Sequence, residues 1–372
     1  MRIAFDAKRL FNNFTGLGNY SRFVVDALAE SFPENEYWLY SPRTRAHPET
    51  SRFLKPPFRI RKPQGTMARA LPSIWRSFSL GTVAQRDGAG ILHGLSNELP
   101  VTKPAQLKTV LTVHDLIFKR FPSYYNAADV AIYGWKLRQS LRSADRVVAI
   151  SHQTAADLRE FEDVDNDKVV VVHQGCNEAF KKHYDGEAID QIRGKYGLPD
   201  TFILCLGTLE RRKNAALLIK ALELMSAKVP VVIAGKPTAH ATELRDLVRK
   251  KGLESLVRFI YHVPYADLPL LYRAAAIFVY PSVFEGFGIP IVEAIASKVP
   301  VITSNGSCFS EAGGPNCIYV NPANPEELAG AISRVMGDKE LRETMVSKSL
   351  EYIRRFEPGV IAGQIMKVYK EL

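Results

Sequence analysis

The chain has 372 residues, of which 46% are hydrophobic and 24% charged, and its formal net charge is +10. This composition is typical of a globular protein, and the length favours two domains of ordinary size. No apolar run approaches the roughly 18 to 20 residues that span a bilayer, and residues 1–6 indicate a strand rather than a signal peptide, so we expect a cytoplasmic protein. The four cysteines have neither the paired spacing of a metal site nor the density of a disulfide framework.

Short apolar runs rich in β-branched residues alternate with segments of helical period along most of the chain. This alternation predicts an α/β fold in which parallel sheets are covered by helices. We predict two Rossmann-like domains, at 1–175 and 176–356, with a last helix at 357–372 that packs back on the first domain. Such domains would face each other across a cleft at the carboxyl ends of their strands, where open α/β sheets bind ligands.

Two glycines follow the first predicted strand, in the segment FTGLGNY at residues 14–20. We expect this segment to form a loop before a helix at residues 21–30. Because glycine allows close approach of the backbone to a ligand, Gly16 and Gly18 are candidates for contact with a diphosphate or an acceptor.

Basic residues are concentrated at residues 43–86, where ten lysines and arginines face a single acid, Glu49. Bulky apolar residues such as Trp75 and Phe78 are interleaved with these cations. The combination suits the anionic surface of a membrane or an anionic lipid-linked substrate. Nucleic acid is the rival partner, but no RNA- or DNA-reading motif accompanies the segment. A solvated basic face with core aromatics is the plainest alternative.

His114 follows a predicted strand at residues 109–113, at the mouth of the expected cleft. Its candidate roles are a hydrogen bond to a bound sugar or orientation of an attacking hydroxyl, although a histidine at a strand end also serves purely structural roles. The alternating aspartates at residues 163–167 lie toward the opposite edge of the sheet. We interpret them as a polar turn, and no metal is expected there.

Three consecutive cations, Arg211, Arg212 and Lys213, follow a predicted strand and the turn at Gly207. Arginine can donate two hydrogen bonds to paired phosphate oxygens through its planar guanidinium, and lysine carries a compact positive charge. These three cations are therefore candidates for binding a diphosphate. In transfer from a nucleotide donor the leaving diphosphate gains negative charge, which nearby cations stabilise. The alternative is a helix start with solvated cations.

The segment PSVFEGFGIPIVEA at residues 281–294 follows another short apolar run. Pro290 suits a first helical turn, so we expect a helix from about Ile289. Gly286 and Gly288 would let the backbone approach a ligand, and the free N–H groups of the helix start favour a phosphorylated one.

Two carboxylates flank this turn. Glu285 would lie in the loop and Glu293 in the first helical turn, so that one accepts hydrogen bonds from sugar hydroxyls and the other from a ribose diol. In the alternative interpretation, Glu293 only complements the helix dipole and Glu285 is solvated.

Taken together, these motifs resemble glycosyltransferase family 4, the retaining, metal-independent transferases of the GT-B fold, over nearly the whole chain. The segment GTLERRKN at residues 207–214 is similar to the GTLEPRKN variant of bacterial O-antigen and capsule mannosyltransferases. The chain departs from the family pattern in two places. Arg211 replaces the usual proline, and Thr208 stands where many relatives carry arginine.

The resemblance implies a role for each candidate residue. Arg212 and Lys213 would contact the donor diphosphate, and Glu293 would hold the ribose. Glu285 would hold the donor sugar together with the backbone amides that follow it. The remaining positions that match the family pattern are the donor-binding Gly207, Gly286, Phe287 and Gly288, the glycine loop at Gly16 and Gly18, and the cleft histidine His114.

The resemblance therefore implies a retaining hexosyltransferase at the inner face of the cytoplasmic membrane. It would move mannose from GDP-mannose to a lipid-linked glycan in polysaccharide synthesis, without a metal or other cofactor. Three alternatives stay open at this point: a transferase that uses a UDP-sugar, a sugar-nucleotide 2-epimerase, and a nucleic-acid-binding protein that uses residues 43–86.

Overall fold

The computed structural model describes residues 1–372, apart from the side chain of Met67. The chain divides into two compact units. The first contains Met1–Gly175 and Phe356–Leu372, and the second contains Cys176–Arg355. Among the described residues, no helix has both the length and the apolar character needed to cross a membrane.

The first unit is built on a parallel sheet of seven strands in its described residues, in the order β3-β2-β1-β4-β5-β6-β7. The chain moves outward in one direction from β1 to β3 and then in the other from β4 to β7, so the topological switch point lies between β1 and β4. The strands are β1 (Arg2–Asp6), β2 (Glu36–Tyr40), β3 (Phe58–Arg61), β4 (Ile91–Gly94), β5 (Lys108–Val113), β6 (Arg146–Ala149) and β7 (Val169–Val171).

Helices connect these strands and cover the sheet. A π-helical turn, Trp75–Ser79, lies between two of them. The helices are α1 (Lys8–Asn12), α2 (Gly16–Ser31), α3 (Thr66–Ala70), α4 (Pro72–Ile74), α5 (Leu80–Arg86), α6 (Ile117–Arg120), α7 (Ala127–Ser143) and α8 (His152–Phe161).

The start of α2 differs from the prediction of a glycine loop followed by a helix at residue 21. Helix α2 begins at Gly16, so that Gly16 and Gly18 belong to its first turn. The side-chain oxygen of Asn13 accepts hydrogen bonds from the backbone N–H groups of Thr15, at 2.9 Å, and Gly18, at 3.0 Å. Asn13 thus satisfies a free donor of the first turn and allows the helix to start five residues earlier than expected.

The second unit has its own parallel sheet, with six strands in the described residues and the order β10-β9-β8-β11-β12-β13. Its switch point lies between β8 and β11, which are neighbours in the sheet but not in the chain. The strands are β8 (Ile203–Leu206), β9 (Val231–Gly235), β10 (Val257–Tyr261), β11 (Ile277–Tyr280), β12 (Val301–Ser304) and β13 (Ile318–Val320).

Helices again cover the sheet, and their apolar faces complete a core in which Leu218, Ile233 and Ile302 are fully buried. The helices of this unit are α9 (Gly186–Tyr196), α10 (Ala215–Leu224), α11 (His240–Lys250), α12 (Leu268–Ala274), α13 (Ile289–Ala296), α14 (Phe309–Gly313), α15 (Pro325–Gly337) and α16 (Lys339–Tyr352).

The chain then returns to the first unit as α17 (Pro358–Lys370), which packs against α2. The hydroxyl of Tyr369 lies 2.6 Å from Nδ1 of His93, and Nε2 of the same ring lies 2.8 Å from the Thr112 hydroxyl. This buried chain of hydrogen bonds joins the last helix to β4 and β5.

Candidate functional site

The switch point of the second sheet gathers two segments that are distant in the chain. The turn Arg211–Lys213 follows β8, and the loop at residues 281–288 follows β11. The backbone N–H of Val283 donates to the Arg212 carbonyl at 2.9 Å, which joins the two segments directly. Because β8 and β11 lie side by side and point the same way, the charged residues after each strand meet at one edge of the sheet.

Asn214 fixes the first of these segments. It has a left-handed backbone with φ of 55°, a conformation that asparagine adopts more readily than most residues. Its side-chain amide donates to the carbonyls of Pro281, at 3.1 Å, and Pro322, at 2.8 Å. Sequence reasoning did not single out Asn214, although it is the last residue of the motif that it helps to position.

Glu285 lies at the centre of the site. One of its carboxylate oxygens, Oε1, lies 2.7 Å from Nζ of Lys213 and 2.7 Å from the guanidinium of Arg212. The hydroxyl of Ser282 donates to the same oxygen. Burial opposes ionisation of Glu285, but Lys213 and Arg212 overcome that effect and lower its pKa to about 2. Glu285 is therefore a buried carboxylate that is charged at neutral pH.

Both cations have further partners that hold their side chains in place. The ammonium of Lys213 donates to the Tyr280 hydroxyl at 2.8 Å, and the guanidinium of Arg212 contacts Glu210 at 2.6 Å. The side chains of Arg212 and Lys213 are 13% and 19% exposed, so each is partly open to solvent. Tyr280 and Ser282 were not predicted as site residues; both belong to the polar end of β11 and the loop that follows it.

Three glycines permit the close packing of this edge. Gly207 has φ of 153°, and a Cβ added to the facing Gly235 would lie only 1.8 Å from the Gly207 carbonyl oxygen. Gly288 has φ of 93° and is the N-cap of α13, the helix that was predicted to begin near Ile289. A side chain at Gly288 would therefore strain the turn that leads into the helix.

The loop before α13 is held through the backbone of Glu285. The Ser307 hydroxyl lies 3.1 Å from the Glu285 carbonyl oxygen, and Sγ of Cys308 lies 3.2 Å from it. Gly286 continues this buried loop, and the ring of Phe287 is 2% exposed. The loop that carries the central carboxylate is consequently anchored to the segment that follows β12.

Glu293 occupies a different position from the one predicted. It lies in the second turn of α13 rather than the first, and the Tyr272 hydroxyl of α12 donates to its Oε2 at 3.1 Å. Burial raises the pKa of Glu293 to about 8, since Tyr272 offsets only part of the cost of a buried charge. Glu293 is thus mainly protonated at neutral pH.

The remaining candidates lie in the first unit. His114 is 4% exposed; its Nε2 lies 2.8 Å from the Leu95 carbonyl oxygen and its Nδ1 lies 3.2 Å from the Gln174 side-chain amide. These contacts fit the neutral ring with its proton on Nε2, and burial lowers its pKa to about 4. Gly16 faces open space, whereas Gly18 packs on Asn13.

Comparisons with known proteins show the family and the fold of the chain. The family model described as glycosyltransferase family 4 matches residues 15–180, and the model described as glycosyl transferases group 1 matches residues 188–351. The O-antigen chain mannosyltransferase B of Escherichia coli is 29% identical over 287 residues, which cover 76% of this chain and 74% of that protein. The serotype-specific mannosyltransferase WbdA of Escherichia coli is also 29% identical, over 71% of this chain but 34% of its own length.

Among solved structures, Anabaena Alr3699/HepE in complex with UDP and glucose superposes with a TM-score of 0.76 and 18% sequence identity, and each chain is covered completely. The fold class predicted from the sequence, an α/β protein of GT-B architecture with two Rossmann-like domains, is confirmed. The chain belongs to the glycosyltransferases, with a family 4 domain in its N-terminal half and a group 1 domain in its C-terminal half.

Proposed function

We propose that this glycosyltransferase moves a hexose, with mannose from GDP-mannose as the first candidate, to a lipid-linked glycan in cell-surface polysaccharide synthesis. The observation that carries the proposal is the group formed by Arg212, Lys213 and Glu285 at the switch point of the second sheet. The mannosyltransferase names of the relatives in Escherichia coli support the sugar and the pathway.

In the proposed complex, Arg212 and Lys213 bind the donor diphosphate, and the N-terminus of α13 faces it through the turn at Gly288. In the ligand-free protein both cations are paired with Glu285. The arriving diphosphate replaces that carboxylate, and Glu285 is released to accept hydrogen bonds from hydroxyls of the donor sugar. Glu293 accepts from the ribose, which requires that it share or exchange its bond with Tyr272.

The proposed reaction retains the anomeric configuration and needs no metal. The acceptor hydroxyl attacks on the face from which the diphosphate departs, and a departing phosphate oxygen takes its proton. Arg212 and Lys213 stabilise the charge that builds up on the leaving group, which is the task that a divalent cation performs in other transferases. The neutral His114 is proposed to hydrogen bond to the transferred sugar or to orient the acceptor hydroxyl, which requires that it exchange its bond with Leu95 or Gln174.

A UDP-sugar is the second candidate donor. The specific observation in its favour is the overall similarity to Alr3699/HepE, whose structure contains UDP and glucose. Nothing in the group around Glu285 distinguishes guanine from uracil, because these residues address the diphosphate and the sugar.

We also propose that residues 43–86 contact an anionic membrane surface on the cytoplasmic side. Part of their charge is balanced within the first unit, since Arg52 pairs with Asp26 and Arg61 with Asp87. In the described part of the chain, the basic residues of this segment without an ion pair are Arg43, Arg45, Lys55, Lys62, Arg69 and Arg86. Leu54, Leu71, Ile74 and Phe78 of the same segment are exposed large apolar side chains.

A donor panel tests the main proposal. Ligands that bind only the folded state raise its melting temperature, so GDP-mannose should stabilise the protein by several degrees at saturation and UDP-glucose should not. Transfer of labelled mannose to lipid-linked glycan should accompany the stabilisation. Stabilisation by UDP-sugars without any response to GDP-mannose would overturn the mannose assignment, and no response to any sugar nucleotide would overturn the proposed function.

A further inference from the structure

The first sheet has a second charged group at its own switch point, between β1 and β4. Asp6 is the last residue of β1, and Glu98 lies four residues after the end of β4. The guanidinium of Arg76 contacts both carboxylates, and Nζ of Lys136 lies 3.4 Å from the other oxygen of Glu98. Ligands of open α/β sheets bind in the crevice at this kind of position.

A cavity of about 200 Å³ opens beside this charged group. We call it the Arg76 cavity. Its floor is polar and its rim carries two aromatic side chains, Phe78 and Trp135, which are 50% and 54% exposed. The other two tryptophans, Trp38 and Trp75, are buried, so the exposure of Trp135 is unusual for this chain. Large aromatic side chains at a cavity rim commonly contact ligands.

The local backbone supports a functional interpretation. Arg76 and Phe78 both lie in the π-helical turn Trp75–Ser79, which presents one to the floor and the other to the rim of the cavity. Turns of this kind are rare in proteins and occur frequently at functional sites.

We propose that the Arg76 cavity binds one neutral sugar ring of the acceptor glycan. A sugar ring carries hydroxyl donors at its edge and C–H groups on its faces. The carboxylates of Asp6 and Glu98 accept hydrogen bonds from the sugar hydroxyls, while the rings of Phe78 and Trp135 pack against the C–H faces of the sugar. This inference rests on the proposed transferase function, because it assigns the acceptor side of the same reaction.

Charge and volume favour this ligand over others. The carboxylates of Asp6 and Glu98 are balanced by the cations Arg76 and Lys136, so the charged residues that line the cavity offer a phosphate no unpaired cation. Drug-sized ligands occupy pockets of about 300 to 1,000 Å³, so a cavity of this volume accommodates a smaller group, such as a single ring. A lipid surface would cover Trp135 but would leave the polar floor without partners.

Tryptophan fluorescence provides the test, because Trp135 is the exposed tryptophan. The full-length protein is titrated with the methyl glycosides of mannose, glucose, galactose and N-acetylglucosamine. We expect at least one to change the emission saturably, and the change should disappear in Trp135→Phe. The variant Glu98→Gln keeps Trp135 and the Asp6–Arg76 ion pair but removes a charged hydrogen-bond acceptor. It should therefore weaken binding of the glycoside about tenfold or more.

The matched control is Glu160→Gln, which alters an exposed carboxylate of the same unit that pairs with Arg120. It should leave the titration unchanged. The inference is wrong if none of the four glycosides acts or if Glu98→Gln binds them as well as the wild type. Donor-induced stabilisation is measured in parallel, so that failure of the donor side is distinguished from failure of this cavity.

Discussion

Glu285 is paired with both of the cations that we propose to bind the donor diphosphate, Arg212 and Lys213. Its Oε1 atom lies 2.7 Å from both Arg212 and Lys213, so a nucleoside diphosphate has to compete with an internal carboxylate. Removal of one member of a buried ion pair strongly destabilises the folded protein, because it leaves the other charge buried without a partner. The carboxylate therefore balances the two cations in the ligand-free protein, and under the proposed function we expect it to weaken binding of the nucleoside diphosphate product.

The variant Glu285→Gln separates these two effects. Loss of the charge should tighten binding of the free nucleoside diphosphate, because the cations then lack their internal partner. Transfer should fall by about 100-fold or more, as is typical when a positioned group at the reacting centre is lost. Calorimetry with GDP and UDP measures the first effect, and initial rates of sugar transfer measure the second.

The control is Glu243→Gln, since Glu243 is an exposed carboxylate that pairs with Arg211 of the same segment. Both diphosphate affinity and transfer should stay at wild-type values in this variant. Weaker diphosphate binding by Glu285→Gln would contradict the internal competition.

Glu293 predicts a pH dependence of stability. Burial raises its pKa from the ordinary glutamate value of 4.5 to about 8 in the folded protein, so the folded state keeps a proton that the unfolded chain loses. Its contribution to stability is complete below pH 4.5 and is lost as the pH rises to about 8. Glu293→Gln cannot ionise and should gain stability relative to the wild type over this range, by on the order of a few kcal/mol.

Urea unfolding of the two proteins at pH 5 and pH 8 measures this difference. A constant difference between variant and wild type across the range would show that Glu293 ionises normally in the folded state. Comparison with Glu243→Gln at the same two pH values corrects for the general effect of removing an acidic residue.

At the scale of elements, the start of α2 provides a matched pair of glycines. A Cβ added at Gly18 would lie 1.7 Å from the Asn13 carbonyl oxygen, whereas nothing lies within 4 Å of one added at Gly16. Gly18→Ala should therefore displace the helix start and destabilise the protein by about 1 to 3 kcal/mol, while Gly16→Ala should have little effect. Thermal unfolding of both variants decides this, and equal stability would contradict the packing described.

The pair also tests the predicted contact of Gly16 with a ligand. If a diphosphate or acceptor approaches the backbone there, Gly16→Ala should lower transfer while its stability is maintained. Unchanged activity would remove Gly16 from the site.

Several features of the fold and of the site follow from the sequence. The β-branched runs predicted the parallel strands of both sheets, and Pro290 predicted the start of α13. Strand β3 was missed because Arg59 and Arg61 alternate within it, so that an edge strand looked like part of a basic segment. The start of α2 was missed because its cap comes from Asn13, two residues before the N-cap position.

In the site, the motifs predicted that Arg212, Lys213 and Glu285 belong together, and the structure brings them into contact. Their direct pairing could not be predicted, because Lys213 and Glu285 are 72 positions apart and only the order of strands makes β8 and β11 neighbours. The burial of Glu293 against Tyr272 likewise depends on how two helices pack, which a local motif does not encode. The catalytic and binding roles of these residues remain predictions.

At the scale of the whole molecule, the uneven charge predicts association with anionic membranes. Lys62→Glu combined with Arg69→Glu reverses two exposed cations that lack ion pairs. Each basic residue near an anionic surface adds on the order of 1 kcal/mol, so the double variant should bind phosphatidylglycerol vesicles at least about 30-fold more weakly. Flotation of the protein with vesicles at low and at physiological salt measures this binding.

The matched control reverses two exposed cations of the second unit, Lys250→Glu with Lys348→Glu, and produces the same net charge. If both double variants lose vesicle binding equally, the effect comes from total charge and residues 43–86 have no special role. If the wild type does not bind vesicles at all, the proposed membrane contact is wrong.

The return of α17 to the first unit affects the order in which a newly made chain becomes complete. Ile361, Ile365 and Tyr369 supply buried contacts to a unit whose other residues end at Gly175. During synthesis the second unit has all its residues once Arg355 has left the ribosome. At that point the first unit still lacks α17. The nascent chain therefore exposes the apolar face of α2 until α17 has also emerged from the ribosome, and docking of that helix covers this face.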